Sequence, residues 1–292
     1  MNSEIEFLFE FVGNMKYWRI ETWSLIVAAV ALMQPWIVSW LKVGKVEIYE
    51  TGLPEIGYSS YGATIGLYGT LRSHERDLFI RSADLEVTRL SDNSSRKFDW
   101  IAFRPLTTIV GRVLSELEVT LPSGFMLLTS QPHQYNIMFS DPVLREEIQT
   151  ILRIVQDKWL ATLKASSTIS ELVSKPQEPE KLRILLAQAA QPVFSAFART
   201  PDYASAESAL RSLAFWDQGT YKITLRVQIA TPDRAYKKSW IIELSEADKE
   251  GLALNSSKIL QELCTESLVP HYFAFPQYRP DNLATKLAMS RK

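Results

Sequence analysis

His74-Glu75-Arg76-Asp77 is the densest run of titratable side chains in this chain. An imidazole next to carboxylates could take up and return a proton. The flanks point elsewhere. Alternating apolar segments stand on both sides, so the run reads as a solvated turn between strands. A second candidate, Gly62-x-x-x-Gly66-x-x-Gly69, has glycines that could let backbone approach a phosphate. It lacks both the lysine of a phosphate loop and the dinucleotide spacing, and it lies among strands, so it reads as a bulge or tight turn. No Gly-x-Ser-x-Gly nucleophile elbow occurs. The three histidines, His74, His133 and His271, are far apart and show no ligand spacing. The single cysteine, Cys264, rules out an internal disulfide and a cysteine-rich metal centre. Catalytic, cofactor and metal residues are therefore left unassigned, and the expectation is a protein that is not an enzyme and carries no cofactor.

The strongest signal is physical. Trp23 to Leu41 runs for nineteen residues without a charge. As a helix it would extend about 28 Å, close to the thickness of bilayer hydrocarbon. A single transmembrane anchor is expected over 19–42, with 1–18 as its N-terminal flank. Its apolar contacts with lipid would come from Leu25, Ile26, Val27, Leu32, Ile37 and Leu41. Trp23, Trp36 and Trp40 suit the two interfaces, where an indole is half in lipid and half hydrated. Gln34 and Pro35 interrupt the run, and Gln34 could hydrogen-bond to a second copy of the helix. Lys16 and Arg19 precede the span and Lys42 and Lys45 follow it, so the positive-inside rule is nearly balanced. The absence of disulfides tilts the expectation toward a cytoplasmic soluble domain. The sequons at Asn93 and Asn255 do not decide orientation. In the flank, Ile5, Leu8, Phe9 and Val12 have helical spacing, while Ile5, Phe7, Phe9 and Phe11 alternate as in a strand.

After Lys45 the period becomes two. Val46–Tyr49, Thr64–Tyr68, Asp77–Ile80, Ala83–Leu90 and Lys97–Phe103 read as strands separated by turns. Leu117–Leu121 and Phe125–Leu128 flank Pro122-Ser123-Gly124 as an expected hairpin. Asp141 and Pro142 then open a helix with the stripe Leu144, Ile148, Ile151, Leu152, Val155, Trp159 and Leu163. A polar connector follows at 174–180. Lys181–Ala198 is ambiguous, with Pro192 expected to break it. Strands return at 219–228 and 240–244, and Ser245 with Asp248 has capping-box spacing ahead of helical residues 246–265.

These elements predict a mainly β chain with added helices: an immunoglobulin-like or related β-sandwich over 46–275, carrying a helical insertion around 141–190. A flexible tail is expected at 276–292, although His271–Pro280 is aromatic enough to dock on the domain. A boundary near 170–180, making two small domains, is the alternative.

Hydrophobic residues are 46% and charged residues 22% of the chain, which fits a globular body. The net charge of −1 gives no basic excess for nucleic acid. The expected partners are the bilayer and another protein or a second copy of this chain. The function read from the sequence is a membrane-anchored protein-interaction or scaffold module. A subunit of an oligomeric membrane channel or effector assembly comes next, and a membrane-tethered hydrolase with dispersed residues last.

Overall fold

The computed structural model describes residues 27–34, 44–104, 121–174, 178–265, 267 and 269–280. It is mainly β with added helices. Strands β1 (Lys45–Glu50), β2 (Glu55–Ser59), β3 (Gly62–His74), β4 (Leu78–Arg89), β5 (Ser95–Phe103), β6 (Phe125–Leu127) and β7 (His133–Ser140) come first. Helices α1 (Pro142–Ala165), α2 (Ser167–Ser174), α3 (Pro179–Phe197) and α4 (Pro201–Ser212) follow. Strands β8 (Gly219–Ile229) and β9 (Arg234–Leu244), helices α5 (Glu246–Ala253) and α6 (Asn255–Thr265), and the short strand β10 (Arg279–Pro280) complete the order.

The ten strands among the described residues belong to one antiparallel sheet in the order β1-β3-β7-β5-β4-β8-β9-β10, with β2 on β3 and β6 on β4. This replaces the two separate sheets of the expected sandwich. Period-two alternation reports that one face of each strand is buried, but not what buries it. Here the sheet curls on itself into a nearly closed barrel. Register shifts at Ile80/Ser82 and at Trp100/Ala102 mark where strands bend. The inward set includes Leu67, Leu85, Phe98, Phe139, Leu225 and Ile242, each at most 1% exposed.

The helices supply the second half of the core. Leu144, Ile148, Leu152, Val155 and Trp159 on α1 are buried, as the stripe predicted. They share one continuous core with Phe197, Tyr203, Leu210, Ile259 and Leu260 from α3, α4 and α6. The helical stretch between β7 and β8 runs to Ser212, past the expected limit near 190. Pro192 lies inside α3, so the ambiguous segment resolves as a helix. The first strand of the hairpin expected at 117–128 falls largely within residues 105–120, which lie outside the described residues; its second strand, β6, pairs with β4. Of the tail expected at 276–292, residues 276–280 are described, and Arg279 and Pro280 pair with Ile241 and Trp240.

The junction of sheet and helices is set by Asp141. Its carboxylate accepts from Val143 N at 2.9 Å and Leu144 N at 3.2 Å, capping α1. Its other oxygen accepts from Arg96 Nη1 at 3.0 Å. The Asp141 side chain is only 3% exposed. Asp141→Ala strands two helix donors and the Arg96 partner, and is expected to cost about 2 kcal/mol. The urea midpoint should fall accordingly, and Asp141→Asn, which keeps the cap, should recover part of the loss. An unchanged midpoint in the alanine variant would contradict this role.

Candidate functional site

The expected anchor residues divide by what is described. Val27, Leu32 and Gln34 lie in a helical stretch at 27–34 in which every residue is exposed. Trp23, Leu25, Ile26, Pro35, Trp36, Ile37, Trp40 and Leu41 lie outside the described residues, as do the flank 1–18 and the tail beyond 280. Among the described residues no helix is long and apolar enough to cross a membrane, and only the middle eight residues of the uncharged run are among them.

The described residues with unusual chemistry gather at the barrel seam. Two short pairings carry the ring across it. Ile56 N–H donates to Ala274 at 2.8 Å and Ala274 N–H returns to Ile56 at 2.9 Å, while β10 pairs with β9. Asn255, fully buried at the start of α6, holds this return. Its Nδ2 donates to the carbonyls of Tyr58 at 3.0 Å and Tyr272 at 2.9 Å, and its Oδ1 accepts from Tyr272 N at 2.8 Å. Asn255 therefore clips the last segment to β2, and its burial leaves no room for the glycan its sequon would allow. The aromatic residues of that segment lie on glycines. A Cβ on Gly57 would come within 2.9 Å of the Phe273 ring, and one on Gly251 within 2.6 Å of Tyr272. The aromatic stretch thus docks on the domain.

Beside this return, β1 faces β9 through side chains. Tyr236 donates from its hydroxyl to the Gly44 carbonyl. Lys238 donates to the Ile48 carbonyl at 2.7 Å and to the Glu50 carboxylate. The Lys238 ammonium also lies 5.7 Å from the Trp240 ring, which packs on Tyr278 with centroids 5.4 Å apart. Burial pushes the Glu50 carboxyl up, but the Lys238 hydrogen bond and charge, with backbone donors, outweigh it and leave it below its ordinary value. Burial also raises the phenols of Tyr135 and Tyr278, with Glu50 adding to both. The arrangement is a charged clasp. Its lysine is committed to acceptors and its phenols stay protonated, so it holds groups together and presents no free base.

A second part-buried pair lies on the outer face. Arg104 Nη1 donates to both oxygens of Glu55, at 2.7 and 2.9 Å, with the two side chains 13% and 12% exposed. Tyr68 donates to the same carboxylate at 3.0 Å, and burial, then the Glu55 charge, lifts its phenol to about 12. No local motif joins Glu50 to Lys238 or Glu55 to Arg104. Only strand register brings them together.

The histidine run separates as well. His74 turns to Glu47 at 2.8 Å, away from Glu75 and Asp77. His133 stacks on Phe125 with centroids 4.2 Å apart, and His271 stands 3.1 Å from Glu262. Among the described residues no group of three or more His, Cys, Asp or Glu could hold a metal ion.

Glu50 contributes stability above its unfolded value, about pH 4.3, because its folded value is lower. That contribution fades as the pH falls through the folded value. Lys238→Met removes the main lowering cause and leaves burial in charge. Acid unfolding of the variant is therefore expected to begin at higher pH than in the wild type, and superimposable acid-unfolding curves would contradict the clasp. Comparison with known proteins finds no matching family, no matching curated protein and no matching solved structure.

Proposed function

We propose that this chain is a membrane-tethered binding module, in which the apolar run at 23–41 anchors the barrel and its helical layer meets a protein partner. The observation that carries the reading is the helical stretch 27–34. Val27, Val30, Leu32 and Met33 are 63%, 58%, 81% and 58% exposed. None of them joins the core, whose first member among the described residues is Val46. Apolar side chains clustered this densely and left uncovered mark a contact with lipid or protein. A run of nineteen uncharged residues favours lipid.

The partner-facing reading rests on α1. Its inner stripe is consumed by the core, yet Val143, Ile154 and Leu160 are also exposed, at 58%, 54% and 43%. Between α1 and α4 lies a groove of about 200 Å³ lined by Ile151, Ile154, Val155, Phe197 and Ala206. Lys158 and Asp202 form an ion pair across its edge at 2.5 Å. An apolar floor with a charged rim is the usual anatomy of a protein contact.

Full-length protein is expected to sediment with membranes and to stay there through high salt and alkaline carbonate, leaving only with detergent. Release into the soluble fraction by carbonate would contradict the tether.

A further inference from the structure

The end of the barrel at which the chain enters from the apolar run carries an open cleft. Gly44 is three residues beyond Leu41, so their Cα atoms are at most about 11 Å apart. At this end β1 begins and β3 stops, with Lys45 opposite His74. Asp77 accepts from Thr129 N at 2.8 Å and Thr129 Oγ1 at 3.0 Å, fixing the connection between β6 and β7 alongside. Between these elements lies a cleft of about 500 Å³, lined by Tyr49, Thr70, Arg72, Thr129, Ser130 and Pro132.

Its lining contains a guanidinium and four hydroxyl-bearing side chains, and no carboxylate. Among the described residues Arg72 is exposed and forms no ion pair. The acid facing it across the strand pair, Glu47, is already engaged. Glu47 accepts from Tyr49 at 2.5 Å and Lys45 at 3.2 Å and bonds His74 at 2.8 Å. These bonds, Tyr49 first, take its carboxyl down to about 2. The Tyr49 and Thr129 hydroxyls donate to Glu47 and Asp77, so the Arg72 guanidinium and the Thr70 and Ser130 hydroxyls are the donors left to match the oxygens of a phosphate. Lys45, paired with Glu47, offsets the charge of that carboxylate at the same end. Phe79, Met126 and Leu128, next to Thr129 or paired beside it, are 41%, 51% and 39% exposed. Cations at headgroup level with apolar side chains alongside are what a protein surface needs to lie on an anionic bilayer.

We propose that this cleft holds the phosphate of an anionic lipid in the same membrane that carries the anchor, a step that rests on the tether reading above. The barrel then sits flat on the bilayer with its anchor end down.

The test uses the full chain carrying Leu128→Cys, labelled with an environment-sensitive dye. Cys264 is buried and its thiol is pushed up to about 12 by that burial, so the introduced thiol is the one that reacts. The protein is reconstituted in phosphatidylcholine vesicles with and without phosphatidylserine, and dye quenching by brominated lipid is read. Strong quenching is expected only with phosphatidylserine, and Arg72→Gln should weaken the apparent phosphatidylserine dependence about fivefold. Equal quenching in both vesicles, or an unaffected Arg72→Gln protein, would overturn the lipid site. Loss of the phosphatidylserine effect on adding inorganic phosphate, but not chloride of equal ionic strength, would overturn the lipid source in favour of a free anion. Flotation with pure phosphatidylcholine vesicles reads the tether separately. Protein that floats there yet shows no quenching refutes the cleft alone, and protein that fails to float refutes the tether.

Discussion

Two hydrogen bonds between Ile56 and Ala274 hold the ring together, because they join residues 218 positions apart and turn an open sheet into a nearly closed one. Without them the edge of β2 would present unpaired backbone, and the inner face would open to water on that side. The bonds are local, but what makes them possible is not. Asn255 must be buried at the start of α6 with all its donors and acceptors used. Tyr58 must reach Leu210 O at 2.5 Å and Trp216 must reach Gly57 O at 2.9 Å, tying β2 to the residues around α4. Each of these polar groups is costly to bury alone and is tolerated because it is paired. The helical layer is therefore part of the closure as well as a cover for it.

Closure by backbone stops where β1 passes β9, and side chains take over. Lys238 and Tyr236 cross this part of the seam to carbonyls of the β1 edge. A lysine at an inward position of β9 would be a liability if unpaired. Glu50, the Ile48 carbonyl and the Trp240 ring give it three partners. The same strand, β1, leads back toward the apolar run. The seam and the outer cleft at Arg72 thus share one element, and in the proposed tether that same element would lead to the bilayer and orient a partner bound through α1.

Much of the architecture could be read from residue pattern. The alternation at Val46–Tyr49, Thr64–Tyr68 and Lys97–Phe103, the Asp141–Pro142 helix start, the apolar stripe of α1 and the Ser245–Asp248 capping box are short-range signals, and the structure places each where its spacing predicted, while the segments read separately at 77–80 and 83–90 form the single strand β4. The sheet arrangement was not readable. Alternation at Ala83–Leu90 says that Leu85 and Val87 are buried, but not that β8 lies beside them. That neighbour is set by shape and closure over long sequence separations. The Lys181–Ala198 segment failed for another reason: Pro192 argues against a helix locally, and packing of Phe194 and Phe197 on Trp159 overrides it. The polar pairs of the seam and of Glu55–Arg104 carried no signal at all, since each residue alone is an ordinary charge on a strand.

Native-state hydrogen exchange at the amides of Ile56 and Ala274 tests ring closure most directly. If the C-terminal segment completes the barrel, both amides should exchange only through global unfolding, at the rate of core amides in β3 and β8. Exchange of either amide at the rate of an exposed loop, with the β3 and β8 amides still protected, would contradict the closed ring and leave the C-terminal segment as a loosely docked tail.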